Sequence, residues 1–121
     1  MAAENERTPS GALHALARDT HVGVRASVAR NKTLTEDVRM ILARDPDPRV
    51  RVINAENATQ PRVLAIAARD AEPDVVVAAA INDHTAGSDL AYLATHGDER
   101  VRRMVSLNKP TPEETALALT Y

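Results

Sequence analysis

The chain has 121 residues, with 22 Ala, 12 Val and 10 Leu against two Tyr and no Phe, Trp or Cys, a length that makes one domain around a core of small side chains. Without cysteine, disulfides, thiolate zinc sites, cysteine-ligated iron–sulfur clusters and cysteine nucleophiles are excluded within the chain, and a reducing compartment is the default. Seventeen acidic residues nearly cancel 15 basic ones, leaving −2, so no strong global field draws in nucleic acid or an anionic membrane. The chain lacks an 18-residue apolar run, and its start, Met1-Ala2-Ala3-Glu4-Asn5-Glu6-Arg7, lacks the charged-then-apolar layout of a signal peptide. The expectation is a cytoplasmic protein with no membrane segment.

Residues 1–9 are expected to form a flexible N-terminal tail. Residues 10–18 then read as one short helix, and a second builds up around Val24 and stops near Asn31. Thr35-Glu36-Asp37 opens the next, where cap and first-turn acids suit the positive end of the helix dipole, and its apolar positions 38, 41 and 42 share one stripe. Asp47-Pro48, an N-cap acceptor before a first-position proline, starts a helix over Arg49–Glu56. Pro61, the run Val75–Ile81, Ser88-Asp89 and the Asp98 cap mark four more, and Pro112-Glu113-Glu114 opens a last one that runs to Tyr121. Strands are not favoured, because apolar and polar residues do not alternate and helix-start punctuation recurs every 8 to 12 residues. Nine helices of this length are marginal alone in water. Stacking must hold them.

Self-similarity supplies the stacking rule. With Val24, Val50, Val75 and Val101 in register, an Asn follows seven residues later each time, at Asn31, Asn57, Asn82 and Asn108, with spacings of 26, 25 and 26. Five residues before each Val stand Asp19, Asp45, Asp70 and, as the odd member, His96. Alanines at 17, 43, 68 and 94 let neighbouring helices approach closely. The expected fold is all-α: residues 10–121 form a single right-handed α-solenoid of about four two-helix units of 25–26 residues.

The segments Leu42-Ala43-Arg44-Asp45-Pro46-Asp47-Pro48-Arg49-Val50-Arg51 and Val24-Arg25-Ala26-Ser27-Val28-Ala29-Arg30-Asn31, and more loosely Val101–Asn108, resemble the leucine-rich repeat variant family over about residues 10–121. The resemblance implies an α-solenoid with an extended binding surface, and no activity. The iron–sulfur module of one member of that family cannot carry over to a chain without cysteine.

Four columns carry chemistry worth weighing. The Asn column suits the ends of the first helices, where Asn readily turns left-handed and its amide meets carbonyls without partners; a ligand-binding row is the alternative. Arg18, Arg44 and Arg69 precede the Asp column, and Arg25, Arg51 and Arg102 follow the Val column. Stacked, these make stripes of opposite sign, either an inter-repeat ion-pair network or an Arg-lined groove for an acidic peptide or nucleic acid. Interleaved acids and missing aromatic platforms weaken the nucleic-acid version. Val76 interrupts the Arg stripe in an otherwise apolar third unit, through burial or through an exposed patch that docks a partner or a second copy.

The remaining signals are structural. His14, His21, His84 and His96 make no metal pair, and single glycines make no phosphate loop. No catalytic, cofactor or metal residue is assigned. The sequence therefore points to a non-enzymatic module that binds an unidentified protein or peptide through Arg18, Arg44, Arg69, Arg25, Arg51, Arg102 and Val76. Nucleic-acid binding through the Arg columns is the alternative, and self-association can use the third unit.

Overall fold

The computed structural model describes residues 10–108. These form eight helices: α1 (Ser10–Leu16), α2 (Val22–Ala29), α3 (Glu36–Leu42), α4 (Pro48–Asn57), α5 (Pro61–Ala67), α6 (Pro73–Ile81), α7 (Gly87–His96) and α8 (Glu99–Leu107). No strand occurs among the described residues. The expected tail at 1–9 and ninth helix over 112–121 lie outside them.

Local chemistry starts the helices where the sequence places the starts. Asp47 accepts the Arg49 N–H at 2.9 Å, and Asp98 accepts that of Val101 at 2.9 Å. Prolines 48, 61 and 73 stand in the first turns of α4, α5 and α6, where the missing N–H leaves no bond unmade. Thr35, expected as a cap, precedes α3 without a side-chain cap bond, and α7 begins at Gly87, also without one.

The even-numbered helices make the tight row: α2 packs on α4, α4 on α6, and α6 on α8. Odd-numbered helices lie behind them, α3 against α5, and most pack on their sequence neighbours. This is a helical-repeat-like, all-α arrangement in which each unit mainly touches the next. Val50, Val75 and Val101 are buried in the tight row, whereas Val24 in the first unit is half-buried. Ala17, Ala43 and Ala68 are buried between rows, and Ala94 is exposed. Gly97, between α7 and α8, permits the closest approach: a Cβ there would lie 2.5 Å from Val101 Cγ1 and 2.6 Å from the Leu93 carbonyl.

One expectation needs correction. The Asn column is not left-handed, since no non-glycine residue among those described has positive φ; Asn82 (φ −78°, ψ 127°) and Asn108 (φ −73°, ψ 142°) leave their helices extended. The reason is local: the Asn31 and Asn82 side-chain oxygens accept the N–H two residues on, from Thr33 and His84, which turns the chain without a left-handed step. The third unit is not solely buried or exposed. Val75, Ala78, Ala79 and Ala80 are buried, Val76 and Val77 half-buried, and Ile81 is 50% exposed.

Candidate functional site: a stitched edge and its break

Each Asp of the column first shapes its own turn. Asp19, Asp45 and Asp70 accept the N–H two residues later, from His21, Asp47 and Glu72, at 2.8, 2.9 and 2.9 Å. That bond holds Asp19 below the usual carboxylate range, helped by the His21 side chain.

Asp45 and Asp70 then each receive an arginine from the preceding unit. Arg25 Nε and Nη2 donate to Asp45 at 2.7 and 3.3 Å, while its Nη1 donates to the main-chain carbonyl of Asp19 at 2.9 Å. Arg51 repeats the geometry one unit on, with 2.9 and 3.3 Å to Asp70 and 2.7 Å to the Asp45 carbonyl. Both guanidinium groups are largely covered, at 14% and 19% exposure, over carboxylates exposed by 3% and 9%. The hydrogen bond to Asp45 pushes Arg25 above its ordinary value. Planar two-point pairing of this kind is oriented as well as charged. It works as a running stitch along the stack.

The other proposed arginines make different contacts. Arg18, Arg44 and Arg69 are exposed and reach back along their own helices: Arg18 to His14 Nδ1 at 3.3 Å, Arg44 to the Met40 carbonyl at 3.4 Å and Arg69 to the Ala65 carbonyl at 3.0 Å. Arg69 also pairs with the buried Asp89 at 2.8 Å and lies 4.2 Å over the Tyr92 ring. Arg102 is exposed and donates to the Gly97 carbonyl at 2.8 Å. Arg18, Arg25 and Arg44 border the recess of the first junction, and Arg69 and Val76 that of the third.

At the third junction the stitch stops. Val76 stands where Arg25 and Arg51 stand, and His96 stands where Asp45 and Asp70 stand, so donor and acceptor are lost together. Both line an open recess of about 210 Å³ whose walls include Tyr92, Leu93 and Val101 and whose polar edge includes Asp70 and Asp98. Tyr92 and His96 stack with centroids 4.4 Å apart. The corresponding recess at the first junction, about 300 Å³, is lined instead by Arg25 and Asp45.

A second polar system runs along the opposite edge. The Asn82 amide donates to the carbonyls of Ala55 and Ala58 at 2.8 and 2.9 Å, and that of Asn108 to Ala80 and Asn82 at 2.6 and 3.1 Å. Each thus caps the helix end of the unit before it. Asn57 instead bonds the Ile53 carbonyl of its own helix. There Arg39 does the capping, donating to the carbonyls of Ala29 at 2.9 Å and Asn31 at 2.6 Å and to Asn54 Oδ1 at 3.1 Å. Burial without a carboxylate partner pulls Arg39 down to about 10, and its Nε has no hydrogen-bond partner. Sequence reasoning missed this residue. Its signal was present in the register, because Arg39 interrupts a column that is Leu13, Leu64 and Leu90 elsewhere.

Among the described residues, no group of His, Asp or Glu could hold a metal ion, and no helix is long and apolar enough to cross a membrane. No protein-family model matches the chain, and no curated protein or solved structure matches it.

Proposed function

We propose that the chain is a protein- or peptide-binding module, a right-handed α-solenoid of about four two-helix units of the leucine-rich repeat variant kind, which engages its partner at the third junction. The observation that carries this reading is the coincident loss of Arg at position 76 and Asp at position 96, which leaves the recess of the third junction lined by Val76 and His96 where that of the first is lined by the Arg25–Asp45 pair. Aromatic, aliphatic and charged groups meet there, the mixture found where partner side chains anchor. Asp45, Asp70 and Asp89 are each held by an arginine, which ties them to packing rather than to proton transfer. Arg25 and Arg51 are turned inward to the stack, which argues against a phosphate-binding stripe.

The test is display of random peptides against the full chain, with a Val76→Arg variant as competitor. Peptides retained by the parent and lost in the variant support the proposal. Retention on nucleic acid with a steep salt dependence and no peptide enrichment would overturn it. So would self-association that Val76→Arg abolishes while peptides fail to compete, since the recess would then serve a second copy.

A further inference from the structure

We infer that the recess of the third junction is a socket for an arginine side chain carried by the partner; this rests on the peptide-binding reading above and names the chemistry it selects. The fold provides the precedent. At the first two junctions the acceptors of this place are paired from within, by Arg25 and Arg51, whose guanidinium groups bridge a main-chain carbonyl of one unit and a carboxylate of the next. At the third, Val76 cannot reach, and the acceptors are left over.

Three acceptors remain. The Asp70 carbonyl, the counterpart of the Asp19 and Asp45 carbonyls that take Nη1, receives no hydrogen bond among the described residues. Asp98 uses Oδ1 to cap α8 and has no cationic partner among the described residues, since Arg100 reaches back to Asp74 at 3.0 Å, unlike Arg49, which pairs with Asp47, the counterpart of Asp98. His96 Nδ1 lies 3.0 Å from the Tyr92 carbonyl, which can only accept. In the neutral ring that bond places the hydrogen on Nδ1 and leaves Nε2 as an acceptor on the residue that replaces the carboxylate of the column. Arg69, the one arginine or lysine lining the recess among the described residues, is paired with Asp89 and drawn over Tyr92. Apolar flanks at Val76, Tyr92 and Val101 suit the methylene stem of an incoming arginine. An incoming carboxylate would meet Asp98 and the Asp70 carbonyl without an unpaired cation among the lining residues.

The test is a titration of the isotope-labelled full chain, followed by amide NMR, with N-acetyl-arginine amide and with the matched citrulline compound, which keeps the shape and loses the charge. The arginine probe is expected to shift amides at Asp70, Val76, Gly97 and Asp98, and citrulline to bind weaker by at least about tenfold, the loss of one charge-assisted pairing. Val76→Arg, which fills the socket from within, should abolish the response. Asp98→Asn, which keeps a good helix cap, should weaken it while the remaining spectrum stays folded. Equal responses to arginine and citrulline, or an undiminished response in both variants, would overturn the socket. The two proposals separate cleanly. Random peptides that occupy the recess equally well without arginine overturn the socket and leave peptide binding standing. A recess that takes the arginine probe and no peptide keeps the socket and overturns peptide binding.

Discussion

Replacing Arg39 by leucine, the residue its own column carries at 13, 64 and 90, sets two contributions against each other. Column logic favours the leucine: a guanidinium that burial pulls down to about 10 is held at a desolvation cost of about 3 kcal/mol, which the substitution removes. The bond network favours the arginine. Its three hydrogen bonds, to the Ala29 and Asn31 carbonyls and to Asn54 Oδ1, come from a charged donor, and each contributes about 1.5–3 kcal/mol. Leucine would strand all three acceptors in a region where Arg39 is only 1% exposed. The bonds outweigh the relief, and Arg39→Leu should destabilise by about 3 kcal/mol, lowering Tm on the order of 10 °C. Urea and thermal unfolding followed by circular dichroism measure both quantities. A variant as stable as the parent, or more so, would refute the reasoning and show that the column, not the cap, governs the position.

Three further outcomes follow from the geometry. Asn82→Leu removes two bonds to the preceding unit and should cost about 2 kcal/mol, whereas Asn57→Leu removes one bond within its own helix and should cost under about 1 kcal/mol; unfolding midpoints of the pair check the order. Gly97→Ala drives a methyl against Val101 and the Leu93 carbonyl and should lower stability by about 1–3 kcal/mol, read by thermal unfolding. Asp47, held at about 2 by the Arg49 side chain and N–H, binds its proton less readily folded than unfolded, so its contribution is present above 3.8 and fades as pH falls toward about 2. Asp47→Asn should therefore flatten that part of the acid-unfolding curve, and an unchanged slope would count against the ion pair.

Much of the architecture was legible because it repeats. A residue type that returns every 25 or 26 positions reports a role set by its neighbours, and the caps at Asp47 and Asp98 are local enough to be read directly. What one dimension could not give was the pairing between columns. Val76 and His96 each stood out as an exception, yet only the stacked helices show that they are two halves of one missing contact. Arg39 was hidden for the opposite reason: among apolar positions 38, 41 and 42 it reads as an outward neighbour, and its burial follows from the unfilled capping role of Asn57, one helix away. The left-handed expectation for asparagine failed because its side chain, by taking the N–H two residues on, made the rarer backbone unnecessary.

The stitch also gives the molecule a direction. Both stitching arginines, Arg25 and Arg51, point toward the unit that follows, and Asp45 and Asp70 receive from the unit before, so this contact is head-to-tail and not symmetric. A unit of the Arg-and-Asp type carries one half of each adjoining latch. Such a unit could be duplicated and inserted between the first and second with both new seams already complementary. Along this chain, length is the quantity that evolution or design can change most freely.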